Sequence, residues 1–146
     1  MAKGFIFDVD GTILDSMEIW MDAAKLYLKD LGIEAEENLG DIMFSLTMAE
    51  GAEYIRKTYK VNLSDKEICD GINQKVFGFY KEEAPLKGKS IEILEYAQKN
   101  NIPMVVATST DRPMIEAAFE RLNLGIYFKK IYTTTEVGSG KDKPEI

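Results

Sequence analysis

Hydrophobic positions along this chain change their spacing twice, and the changes mark out its parts. Residues 3–9 (KGFIFDV) are apolar at nearly every position until Asp8, the pattern of a strand in the middle of a parallel sheet. Gly11 then turns the chain out, and from about residue 16 to residue 82 the spacing is helical throughout. Asp15 with Glu18 reads as a capping box, opening a helix with Trp20, Ala23, Ala24, Tyr27, Leu28 and Leu31 on one face and Gly32 at its end. Two more boxes follow, Thr47 with Glu50 and Ser64 with Glu67. The first predicts a helix turning Ala52, Ile55 and Tyr59 inward. The second predicts one that buries Ile68, Ile72, Val76, Phe79 and Tyr80.

After residue 84 helices and strands alternate. Ser90 opens a helix with Ile91, Leu94 and Ala97 inward. IPMVVA (102–107) is a second apolar strand, and the polar run TSTDR (108–112) leads to a helix with Pro113 in its first turn and Ile115, Ala118, Phe119 and Leu122 on its inner face. KIYTT (130–134) is a third strand. The order is strand, helical insert, helix, strand, helix, strand. It predicts an α/β fold: half of a doubly wound parallel sheet of about three strands, built right-handed from residues 1–15 and 84–146, with a helical domain over 16–83. Ligands of such sheets bind outside the carboxyl ends of the strands. Those ends carry Asp8 and Asp10, Thr108 and Ser109, and, beyond the third strand, Lys141.

Composition narrows the chemistry. The 146 residues suffice for a real core, and 45% hydrophobic with 29% charged residues is the balance of a soluble globular protein. A net charge of −7 argues against nonspecific nucleic-acid binding, and no apolar run is long enough to span a bilayer. No signal-peptide pattern is seen at the N-terminus, and the single cysteine, Cys69, excludes an internal disulfide, so a cytoplasmic location is expected. There is no histidine. Mechanisms based on Ser-His, Cys-His or histidine-bound metal are thereby removed, leaving carboxylates and lysines for acid–base work.

In an extended chain Asp8 and Asp10 share a face, an arrangement that costs energy unless positive charge lies between them. Read as a calcium loop starting at Asp8, the sequence puts Ile13 in place of the required glycine and Ile19 in place of the bidentate glutamate, so that reading fails. An acidic turn is the plain alternative. Taken alone, TSTDRP is an ordinary loop before a helix and Lys141 an ordinary surface lysine. Together on one rim they make a phosphate cradle beside two carboxylates.

D-x-D-G-T after the first strand, Thr-Ser after the second and GKDKPEI (140–146) resemble three motifs of the haloacid dehalogenase superfamily. The helical insert resembles the cap of its branch of sugar-phosphate phosphatases and β-phosphoglucomutases. The resemblance implies an Mg²⁺-dependent phosphatase acting on a small phosphorylated, sugar-phosphate-like metabolite. Asp8 would be the nucleophile and Asp10 the general acid/base. Thr108, Ser109 and Lys141 would hold the phosphoryl group, and Asp8 with the Asp10 backbone carbonyl would hold Mg²⁺. Ser16 and Trp20, just past a hinge at 13–16 and 83–87, would face substrate, with core packing the competing role for Trp20. Lys141 rather than Lys143 fits the third motif, although Asp142 stands where proline is usual. A phosphomutase is the alternative, but no histidine stands in the first cap helix and no arginine in FSLTMAEG (44–51). A receiver-like phosphoacceptor would need an aspartate on the third strand, which has none. The fourth, acidic motif of the family would follow the helix expected from Pro144. Its absence implies a chain that stops short, an inactive fragment keeping only the cradle, and a first strand left as an edge open to self-association.

Overall fold

The computed structural model describes residues 4–143; the strand start expected at Lys3 and the helix expected from Pro144, with Glu145, lie outside them. The chain forms two compact units, Met17–Phe79 and the residues on either side of that span.

The flanking unit holds a three-stranded parallel sheet. Strand β1 is Phe5–Phe7, β2 is Met104–Thr108 and β3 is Lys130–Thr133, in the order β1-β2-β3. Phe7 lies opposite Val106 and Val106 opposite Ile131, so the carboxyl ends of the three strands come out together. Helix α5 (Ser90–Lys99) precedes β2, and α6 (Arg112–Leu122) joins β2 to β3. Both bury their apolar stripes: Leu94 and Ala97 from α5, Ile115, Ala118 and Phe119 from α6. Phe128 stacks on Phe119 at 5.4 Å between ring centres and meets Phe7 edge-on at 6.0 Å, joining helix, loop and strand. Strand β1 departs from the buried pattern read in the sequence. Among the described residues it pairs with β2 alone, and Ile6 is 74% exposed.

The helical unit contains α1 (Met17–Asp30), α2 (Leu39–Phe44), α3 (Met48–Thr58) and most of α4 (Asp65–Glu82). Both later capping boxes form as expected. Glu50 Oε2 accepts from the Thr47 backbone N–H at 2.8 Å while Thr47 Oγ1 accepts from Glu50 N–H, and Ser64 with Glu67 repeats the exchange. The first box does not start its helix where expected. Helix α1 begins at Met17, because the Asp15 N–H is taken by the Pro85 carbonyl at 2.8 Å. Of its predicted inner face Ala23, Ala24, Tyr27 and Leu28 are buried, whereas Trp20 is half-buried and Leu31 is exposed. Helix α2 was not separately legible. It crosses α1 at Gly40, where a β-carbon would stand 2.6 Å from the Met21 carbonyl oxygen, so only glycine fits. No helix among the described residues is long and apolar enough to cross a membrane.

Candidate active site

The chain leaves β1 in a tight turn that exposes two carboxylates. The Val9 carbonyl accepts from the N–H groups of Thr12, Ile13 and Leu14 at 2.9–3.1 Å, and Gly11 takes the left-handed conformation (φ 73°) that closes the turn. Val9 is wholly buried, while Asp8 and Asp10 on either side of it stay partly exposed. The segment leaving the turn is then clamped. Lys87 N–H donates to the Ile13 carbonyl at 2.8 Å, Leu14 bridges Leu86 antiparallel, and Ser90 Oγ donates to the Ile13 carbonyl at 3.1 Å. The two connectors at 13–16 and 83–87 are therefore paired with each other.

Asp8 Oδ1 is paired with the Lys141 ammonium. Of the two lysines in GKDKPEI it is Lys141 that reaches this carboxylate. The path from β3 to Lys141 is braced: Arg112, at the start of α6, grips both oxygens of Glu136 in α7 (Thr134–Val137) at 2.5 and 2.7 Å and donates to the Ile131 carbonyl at 2.8 Å. The hydrogen-bonded guanidinium holds the Glu136 carboxyl below the usual carboxylate range. Thr135 Oγ1 donates to Asp111 Oδ1 at 2.8 Å, tying α7 to the residue that precedes α6.

Asp10 has different surroundings. Its Oδ1 accepts from Ser16 Oγ at 2.6 Å and from the Tyr80 hydroxyl, and its Oδ2 accepts from Thr110 Oγ1 at 2.6 Å. All three donors are buried. Neither Tyr80 nor Thr110 was legible as a partner of Asp10. Thr110 carries a weak signal, standing two residues past Thr108 in the polar run. Tyr80 carries none, since it lies 70 residues away and reads only as a core position of α4.

The structure places three of the expected residues as follows. Ser16, expected to face substrate, is wholly buried, and its hydroxyl donates to Asp10. The Thr108 side chain is also wholly buried, its Oγ1 accepting from the Thr110 N–H at 3.1 Å, so it shapes the turn, and Ser109 and Asp111 are the exposed residues of the run. Trp20 belongs to the helical unit, where it lines an apolar cavity of about 270 Å³ with Met43, Phe44, Ile72 and Val76.

Among the described residues no three acidic, cysteine or histidine side chains cluster as a metal cage. A small hard cation that keeps its waters and binds through one or two carboxylates plus substrate phosphate needs no such cage. Asp8 and the Asp10 carbonyl suit that mode, because the Asp10 carboxylate is already engaged by hydroxyls.

The chain is 23% identical over 144 residues to a phosphorylated carbohydrates phosphatase of Thermotoga maritima, covering 99% of this chain and 67% of that one. It is 24% identical over 166 residues to a phosphoglycolate phosphatase of Shigella boydii, covering 98% and 65%. Among solved structures, CbbY of Rhodobacter sphaeroides in complex with phosphate superposes with a TM-score of 0.72 at 21% identity, covering 99% of this chain and 69% of that one. The chain thus spans about two thirds of the length of these relatives. The profile of the haloacid dehalogenase-like hydrolases matches residues 5–146, and the chain belongs to that family.

Proposed function

We propose that the protein is a phosphatase of small phosphomonoesters that works through an aspartyl-phosphate on Asp8. The observation that carries this reading is the Asp8–Lys141 pair, set beside a second carboxylate at the carboxyl ends of a parallel sheet. In the first half-reaction an Asp8 oxygen attacks phosphorus, the bond to the ester oxygen breaks, and Asp10 gives that oxygen its proton. In the second, water attacks phosphorus, Asp10 takes its proton, and the bond to Asp8 breaks to release phosphate. Lys141 and the Ser109 backbone N–H hold the phosphoryl oxygens. A protein of net charge −7 needs that local cation to receive an anion. Asp8 and the Asp10 carbonyl would hold Mg²⁺, which would supply further positive charge for the phosphoryl group.

The names of the two phosphatase relatives support a small phosphorylated metabolite such as a sugar phosphate. The helical insert is read as the cap that selects it. Hydrolysis is favoured over transfer between two phosphate positions, because the chain has no histidine and the cavity around Trp20 is lined without a cationic side chain. The test is hydrolysis of p-nitrophenyl phosphate with and without added Mg²⁺. Turnover is expected with the metal and not without it, and Asp8→Asn is expected to abolish it. Turnover that survives Asp8→Asn would overturn the nucleophile assignment.

A further inference from the structure

The two oxygens of the Asp10 carboxylate are engaged unequally. Each offers two lone pairs in the carboxylate plane. On Oδ1 both are taken, by Ser16 Oγ and by the Tyr80 hydroxyl. On Oδ2, among the described residues, only Thr110 Oγ1 donates, so one lone pair is left. Ser16 and Tyr80 are 0% exposed and Thr110 is 6% exposed, so water does not stand in for any of them. Resting on the phosphatase reading of Asp8 and Asp10, we propose that Tyr80 is a positioning residue. By filling the second site on Oδ1 it fixes Oδ2 as the oxygen through which Asp10 exchanges its proton.

Tyr80 is itself held in place. Its ring is buried in the last turn of α4, and its backbone carbonyl accepts from Arg121 Nη2 at 3.2 Å. The same nitrogen donates to the Ala84 carbonyl at 2.5 Å, securing the chain just after the helix. Tyr80 passes no proton and touches no substrate. The proton on Oδ2 goes to the ester oxygen as its bond to phosphorus breaks and the Asp8–phosphorus bond forms. A proton from water returns to Oδ2 as the water oxygen displaces Asp8. Without the Tyr80 hydroxyl, Ser16 and Thr110 still hold the carboxyl group but one site on Oδ1 is open, and its proton is shared with the wrong oxygen.

That defect falls on leaving groups that need a proton. The alkoxide of glycerol 3-phosphate needs one, whereas p-nitrophenolate departs largely without. In the full chain, Tyr80→Phe is expected to lower kcat on glycerol 3-phosphate about tenfold more than on p-nitrophenyl phosphate, with KM changed little. In an Asp10→Asn background the same change is expected to add less than about twofold, because both act on one step. Ser16→Ala empties the other Oδ1 site without disturbing α4, and is expected to give the same selectivity. Equal losses on both substrates in Tyr80→Phe and Ser16→Ala proteins of wild-type melting temperature would make the role structural and overturn the proposal. If the wild type turns over neither substrate, or Asp10→Asn shows no leaving-group selectivity, the phosphatase reading falls first and this proposal with it.

Discussion

In the phosphatase proposed above, the Asp8–Lys141 pair has a chemical use and little structural one. The two side chains are 44% and 34% exposed, and ion pairs that wet contribute little to stability. Lys141→Met should therefore separate activity from folding. We expect kcat on p-nitrophenyl phosphate to fall on the order of 10² to 10³, the loss seen when one fixed charge-stabilising donor is removed. The melting temperature should stay within about a degree or two of wild type. Lys143→Met is the control, with activity close to wild type. A loss at Lys143 matching that at Lys141 would show that the wrong lysine of the motif has been chosen. Lys141→Arg keeps the charge but replaces a compact ammonium by a wide planar fork, so only partial activity is expected.

At the scale of elements, what could be read ahead of the structure was what is settled locally. The Thr47–Glu50 and Ser64–Glu67 boxes each close within four residues, and both formed. The Asp15–Glu18 box failed for a reason seventy residues away, the Pro85 carbonyl that claims the Asp15 N–H. Helix α2 escaped notice because six residues carry too little periodicity to announce a helix, and its place is set by a glycine pressed on α1. The box on α3 gives a test at this scale. Thr47→Ala should cost about 1 kcal/mol by urea denaturation at neutral pH. The Thr47 backbone and side-chain hydrogen bonds hold the Glu50 carboxyl below its usual range. A group lowered on folding adds stability above its unfolded pKa and loses it as pH falls through the folded one. The difference between wild type and Thr47→Ala should accordingly be full at neutral pH and shrink as the solution is taken below the ordinary glutamate range. A difference independent of pH would mean that Glu50 takes no part in the cap.

For the whole molecule, sequence and structure agree on topology and part over long-range side-chain contacts. The parallel sheet and the common rim follow from alternating periods and the rule for such sheets, whereas the meeting of Asp8 with Lys141 is what the family resemblance implied. The hydroxyl cluster on Asp10 does not, since Ser16, Tyr80 and Thr110 come from three distant stretches, each of which also reads as cap, core or loop. Strand β1 carries the last consequence at this scale. It is an edge among the described residues, its unpaired backbone groups face outward, and Ile6 stands 74% exposed beside them. Such an edge favours pairing between copies, and a net charge of −7 opposes it through mutual repulsion. Salt should decide between the two, because screening weakens repulsion between surfaces while leaving backbone pairing and apolar contact in place. Sedimentation velocity is therefore expected to show association that grows with protein concentration and with added sodium chloride. Ile6→Lys should suppress it without lowering the melting temperature, since the side chain it replaces is mostly in water already. Sedimentation that ignores both concentration and salt in the wild type would show that β1 is not an adhesive edge.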